Sequence, residues 1–311
     1  MDTRGFKVLV SAGLGNQLFQ FSFAHYIQSK FNQFVTLENK IAISNDGNRR
    51  FELYNLAQSC AHLHLRSHKV ISHKTKVGRF LYKSGLAIKY EGRILGRNPT
   101  NCILEKNLTE DLSLVLEEVR NLGGNSIIFD GYWQKWEYVF ANNGVIFSEL
   151  INYLDSQVST HNLIHSLTKP LLVVHVRRGD YLSTRLKGIL GLVDIDSYIS
   201  QIQRIRHIDK NITTITLTDS TDHSYFKNQG NLFGTVLDSQ STTNWEALKI
   251  MSRANYLITA NSTFSWWGAF LAAKQGGEVF IPSKWFLSES ESFVNNYKYP
   301  KFNVFDSQLR N

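Results

Sequence analysis

Proline is scarce in this sequence, four in 311 residues, and that excludes long Pro-rich linkers. Cysteine is scarcer. Cys60 and Cys102 are the two present. Neither has a metal-ligand spacing and two make no disulfide framework, so a reducing compartment fits. No apolar run approaches the ~20 residues that a membrane-spanning helix needs. The longest, at 171–174 and 264–273, are of core length. No apolar region of the signal-peptide kind precedes the first strand pattern at 6–10, so a cytoplasmic protein is expected. Also missing are the Gly-x-Ser-x-Gly, Walker and Cys-x-x-Cys motifs, zinc fingers and RRM signatures. Their absence argues against nucleophile-elbow hydrolases, P-loop NTPases and nucleic-acid binding.

What is present is a folded α/β chain. Its length suits roughly two domains, and 42% hydrophobic against 19% charged residues is a globular balance. Aromatics reach 13%; they pack cores and stack on sugar rings alike, so the share decides nothing. The net charge of +8 has an address. Segment 62–97 holds nine Lys and Arg against one acid, Glu91, an excess that equals the charge of the whole chain. Two readings compete: a solvated helical face, or a surface for anionic lipid head groups or a pyrophosphate-linked acceptor.

Strand and helix patterns alternate, which argues parallel sheets. Strands are expected at 6–10, 126–129, 171–176, 213–218, 256–259 and 279–281. Helices are expected at about 16–31, 148–159, 197–206, 244–252 and 264–274. Thr243 and Glu246 stand at capping-box spacing, and Gly276-Gly277 marks a helix end. The run 161–170 is the expected boundary, dividing the chain into 1–165 and 166–311, with ligands bound at the C-terminal ends of the strands.

Four constellations carry chemistry. In His175-Val176-Arg177-Arg178-Gly179-Asp180-Tyr181, His175 and Arg177 share one face of the strand or its exit, and Arg178 points the other way. Two adjacent arginines leaving an apolar strand need matched charge. A diphosphate supplies it, because guanidinium forks bind phosphate oxygens bidentately. The competing reading is a strand-end Arg–Asp ion pair. In Asn261-Ser262-Thr263-Phe264-Ser265-Trp266-Trp267-Gly268, small polar residues open a helix, an anion site made of hydroxyls and backbone N–H groups. Ordinary N-capping by Ser262 or Thr263 is compatible with it, and Trp266 and Trp267 suit core packing better than sugar stacking. Gly13-Leu14-Gly15-Asn16-Gln17 permits a tight turn with a ligand close to the backbone, and Asn16 and Gln17 can contact a phosphate or a sugar. Asp219, at the exit of an apolar strand, suits a purine or ribose hydroxyl, or else forms a turn. No metal site is expected. Asp194-Ile195-Asp196 has the Asp-x-Asp spacing of metal-dependent transferases, a spacing that thirteen aspartates also produce by chance. The histidines of the basic segment lack acidic or cysteine partners.

These blocks, together with Gly131-Tyr132-Trp133-Gln134, resemble the α-1,2-fucosyltransferase family of bacterial surface-polysaccharide synthesis, in order and across most of the chain. The resemblance implies a GT-B type fold, two Rossmann-like domains with the active-site cleft between them. The N-terminal domain, 1–165, would be acceptor-side and the C-terminal domain, 166–311, would bind GDP-fucose. It also implies a GDP-β-L-fucose donor, no metal, and inversion to an α-linked product on the 2-hydroxyl of a terminal β-galactoside, in an O-antigen or related polysaccharide. Arg177 would grip the donor diphosphate, and Arg178, Asp219, Gly15, Asn16 and residues Asn261, Ser262, Thr263, Phe264 and Ser265 would line the same pocket. Asp180 and His175 are the candidates for further catalytic work, general base included. The partners implied are a galactose-terminated oligosaccharide or lipid-linked acceptor and no nucleic acid, with peripheral contact to an anionic membrane through segment 62–97. The chain departs from the family at Asp219-Ser220 and Glu246-Ala247, where two consecutive acids and a differently placed acid are usual, so Asp219 and Glu246 have open roles. Two other readings remain: a GDP-fucose transferase forming an α-1,6 or O-linked product, and a non-catalytic glycan- or anionic-surface-binding protein.

Overall fold

Runs of Val, Ile, Leu and Phe that are apolar on both faces pack as central strands of parallel sheets, covered on each side by helices. The computed structural model describes residues 5–39, 50–60, 63–66, 87–90, 93–96, 101–105, 112–122, 126–157, 170–179, 181, 190–219, 222–288 and 297–310. The chain forms two compact units, Met1–Ile146 and Phe147–Asn311. Residues 161–169, most of the run where the sequence suggests a boundary, lie outside the described residues.

The N-terminal unit contains β1 (Gly5–Val10), α1 (Leu14–Phe31), β2 (Val35–Asn39), α2 (Tyr54–Gln58), β3 (Leu63–Arg66), β4 (Ala87–Tyr90), β5 (Arg93–Gly96), β6 (Asn101–Leu104), α3 (Leu112–Asn121), β7 (Ser126–Asp130) and α4 (Trp136–Ala141). Helix α5 (Asn143–Ser156) carries the chain into the second unit. The main sheet has the order β3-β2-β1-β7-β6, parallel throughout. Helix α1 is buried around most of its circumference, with Leu18, Phe19, Phe21, Phe23 and Ala24 excluded from solvent. Phe23 stacks on Trp133 at 4.0 Å between ring centroids and meets Phe129 and Tyr138 edge-on. The helix stops at Asn32, whose φ of 49° is the left-handed C-terminal stop that Asn tolerates.

Most of the basic segment lies outside the described residues. What is described of it is strand, not helix: β3, and the antiparallel hairpin β4–β5 in which Tyr90 pairs with Arg93. The helical-face reading does not apply to these residues.

The C-terminal unit contains β8 (Leu171–His175), β9 (Leu192–Val193), α6 (Ile195–Ile208), β10 (Thr213–Thr218), α7 (His223–Asn228), α8 (Gly230–Phe233), β11 (Thr235–Asp238), α9 (Asn244–Ser252), β12 (Tyr256–Ile258), α10 (Thr263–Lys274), β13 (Glu278–Pro282), β14 (Asn303–Phe305) and β15 (Leu309–Arg310). Its sheet runs β11-β10-β8-β12-β13-β14, parallel throughout. Counted from β8, that is the dinucleotide-fold order 3-2-1-4-5-6, with the reversal between β8 and β12. Leu172, Val174, Ile202, Ile205, Phe226 and Phe233 belong to its core. Helix α9 begins with the expected capping box of Thr243 and Glu246, which gives Glu246 a structural task. Helix α10 ends in a Schellman motif: Gly276, at φ 90°, donates to the Ala273 carbonyl and Gly277 to that of Ala272. Trp266 and Trp267 are fully buried in α10, and the Trp266 indole donates to the Tyr297 carbonyl at 2.9 Å. They are core residues. Among the described residues no helix is long and apolar enough to cross a membrane.

Candidate active site

The reversal between β8 and β12 sets the C-terminal ends of three adjacent strands side by side. Strand β10 delivers Asp219, β8 delivers His175 and the Arg177-Arg178 turn, and β12 delivers residues 261–265. The connections are direct. Asp219 Oδ2 accepts the backbone N–H of Arg178 at 2.8 Å and of Gly179 at 2.6 Å. A Cβ at Gly179 would sit 3.0 Å from Asp219 Cγ, so a side chain there would push the carboxylate back by a few tenths of an ångström. Arg178 Nε donates to Asp222 at 3.1 Å, the ion pair foreseen as the competing reading for this turn. Its acid, Asp222, lies three places after Asp219, outside the motifs that the sequence marks. On the other side, Tyr181 donates its hydroxyl proton to the Asn261 carbonyl at 2.8 Å, and its ring lies under the Arg177 guanidinium at 5.8 Å. Asp180 lies outside the described residues.

Helix α10 opens at this edge. Ser262 is its N-cap, the Oγ accepting from Phe264 N–H at 3.3 Å. Thr263 occupies the first helical position and Ser265 the third, where the helix dipole favours an anion. Asn261 commits its amide nitrogen to the carbonyls of Leu190, Gly191 and Trp285. Its Oδ1 is buried without a partner among the described residues, as is Thr218 Oγ1 at the end of β10. Buried polar atoms ordinarily have partners, so both oxygens are open to a hydroxyl or N–H group.

His175 is buried at the centre, its Nδ1 hydrogen-bonded to Ser265 Oγ, which also accepts from Ala260 N–H. Burial, and secondarily the Arg177 charge, push its pKa down to about 4 against an opposing pull from Asp219. The imidazole is therefore neutral at physiological pH. It can shape hydrogen bonding here and adds no positive charge.

The N-terminal unit has its own reversal, between β1 and β7. There the Gly13–Gln20 and Gly131–Gln134 blocks meet. Gln20 accepts from Ser11 N–H and donates to the Gly131 carbonyl at 2.8 Å, and Gln134 Nε2 donates to Asn16 Oδ1 at 2.8 Å. Gln17 holds the Ala12 and Arg50 carbonyls and the Glu52 N–H. It is a loop brace, not the ligand contact the sequence suggests. Gly15 lies in the buried first turn of α1. Glu105, which no sequence motif marks, takes the N–H groups of Tyr132 and Trp133 at 2.6 and 3.0 Å. Asp194 and Asp196 flank the start of α6, a place that suits acids electrostatically.

Each of the two units is built on a parallel sheet, the second in dinucleotide-fold order, in agreement with the Rossmann-like domains expected from the sequence. Glycosyl transferase family 11 matches residues 5–301, and the chain belongs to that family. The resemblance to α-1,2-fucosyltransferases drawn from the four blocks therefore holds, and the chain is an enzyme rather than a non-catalytic binding protein. Among its relatives, the O-antigen biosynthesis glycosyltransferase WbnK of Escherichia coli is 26% identical over 298 residues, 91% of this chain and 95% of that one. An alpha-1,2-colitosyltransferase of Escherichia coli is 30% identical over 53% of this chain and 58% of its own length. The human galactoside alpha-(1,2)-fucosyltransferase 1 is 30% identical over 40% of this chain and 34% of its own.

Proposed function

We propose that this enzyme transfers L-fucose from GDP-β-L-fucose, with inversion and without a metal, to the 2-hydroxyl of a terminal β-galactoside of an O-antigen or related surface polysaccharide. The observation that carries the reading is the meeting of the Arg177-Arg178 turn with the N-terminus of α10 at the strand reversal of the C-terminal unit. As the fucose–phosphate bond breaks, negative charge grows on the departing GDP. Arg177 and the start of α10 oppose that charge. Arg178, already paired with Asp222, shapes the turn, and Asp219 fixes its backbone. Ser262, Thr263, Phe264, Ser265 and Asn261 complete the donor side. A histidine held near pKa 4 is a weak proton acceptor at pH 7, so His175 is assigned to orientation. The acceptor is a galactose-terminated oligosaccharide or lipid-linked glycan, reached from the cytoplasmic side, with segment 62–97 as the contact to the membrane surface.

GDP release from GDP-fucose, with and without lactose and in the presence of EDTA, tests this. Acceptor-dependent release that survives EDTA, with an α-1,2 linkage in the product, is the expected result. An α-1,6 or O-linked product, or no release from a protein that GDP fails to protect against thermal unfolding, refutes it. The colitosyltransferase relative favours one second reading, a colitose donor in place of fucose. Preferential turnover of a colitose donor in the same assay would establish it.

A further inference from the structure

Tyr132 stands out among the aromatic side chains at strand exits. It follows β7 at the reversal of the N-terminal sheet, and 45% of it is exposed. Its neighbours in the chain, Trp133 and Gln134, are 1% and 8% exposed. The difference is built into the backbone. Trp133 adopts a φ of 54°, a left-handed conformation unfavourable for a bulky residue. That turn lays the indole against Phe23 in the core while the Tyr132 ring stays outside. Glu105 grips the strained loop through the N–H groups of both residues, and a Cβ at Gly131 would collide with Glu105 Cβ. An exposed ring on a strained, clamped loop is a side chain held out for contact, because the packing among the described residues does not require it there.

The surroundings define what it contacts. The Asn16–Gln134 amide pair lies in the same loop cluster, and the nearby cation, Lys135, is buried in the field of Glu137. Glu137 itself is pushed up by burial, with Lys135 opposing. Neutral amides, a carboxylate and an open aromatic face suit an uncharged polyhydroxylated ring rather than a phosphate. The other large exposed aromatics among the described residues are placed elsewhere. Phe34 precedes β2 at the opposite end of the sheet, and Tyr54 and Tyr225 lie on α2 and α7.

We propose that Tyr132 is the stacking platform for the galactose ring of the acceptor, and that Glu105 is the positioning residue that presents it. The inference rests on the galactoside-transfer reading for its choice of ligand. The test measures lactose binding to the full chain by saturation-transfer NMR and calorimetry, beside the separate KM values for lactose and GDP-fucose. Tyr132→Ala is expected to weaken lactose binding and raise its KM about 10-fold, the scale of one aromatic contact, with the KM for GDP-fucose moving less than twofold. Tyr132→Phe, which keeps the ring, restores the lactose values. Glu105→Gln, which offers one acceptor oxygen in place of two, shifts them in the same direction by a smaller factor. Equal lactose affinity in wild type and Tyr132→Ala, no lactose binding by the wild type, or a rise confined to the GDP-fucose KM each overturns the proposal. A protein that binds lactose through Tyr132 yet transfers no fucose refutes the functional reading and leaves this one standing.

Discussion

Acidification acts on the fold through His175. The unfolded chain protonates this imidazole near pH 6.5, while the folded chain keeps it neutral down to about 4 because the ring is buried beside Arg177. The folded pKa is depressed, so between those values the unfolded state binds more protons, and stability falls as pH drops through the window. The full shift is worth about 3 kcal/mol, of which about 2 kcal/mol is lost between pH 7.5 and 5. The assay is urea unfolding of the wild type and of His175→Asn, whose amide still meets Ser265 Oγ, at half-unit steps of pH. Groups that titrate alike in both proteins cancel in the difference. The wild type should lose about 2 kcal/mol more than the variant over that range. Parallel curves, or a histidine NMR signal assigned to residue 175 that titrates near 6.5, would refute the assignment of a buried neutral imidazole.

Three further outcomes follow from the same geometry. Arg177→Ala should cut kcat about 10²–10³-fold, the scale of one lost transition-state donor, with an unchanged circular dichroism spectrum; near-wild-type turnover would remove the arginine from the diphosphate. Gly179→Ala places a methyl 3.0 Å from Asp219 Cγ, loosens the grip on the Arg177-Arg178 turn and should cost about 1–2 kcal/mol in urea unfolding, with a parallel fall in turnover. Thr243→Ala removes the cap of α9 and should cost about 1 kcal/mol without altering the KM for GDP-fucose, as initial-rate kinetics would show.

The parts of the fold legible in the sequence are those whose physics is local. The strands at 6–10, 126–129 and 171–176 are short and mostly apolar, the mark of two-sided burial, the strand at 213–218 alternates threonine with isoleucine and leucine, and the ends of α9 and α10 were written in Thr243, Glu246, Gly276 and Gly277. The paired strands at 87–90 and 93–96 were obscured because each is four residues long and neither alternates apolar with polar residues. At the site, His175, Arg177 and residues 261–265 were legible as dense polar clusters at apolar strand ends. The roles of Gln17, Asp222 and Glu105 were not. Each acts on groups tens of residues away, Gln17 on Arg50 and Glu52, Asp222 on Arg178, and Glu105 on Tyr132 and Trp133, and such bonds leave no spacing to detect. Asp219 was visible as a carboxylate at a strand exit, but its grip on the Arg178 and Gly179 main chain depends on β10 lying next to β8.

Each unit restrains one exit loop with a carboxylate from the adjacent strand: Glu105 after β6 holds the loop after β7, and Asp219 after β10 holds the turn after β8. Both grips close on main-chain N–H groups, which every residue but proline possesses, and each abuts a glycine, Gly131 or Gly179. The grip on each loop is thus independent of the side chain displayed at 132 or 179, although the Arg178–Asp222 pair adds a side-chain tie to the second turn. A replacement at 132 leaves the Glu105 grip in place, so the group presented there can change on a loop whose course is dictated from next door.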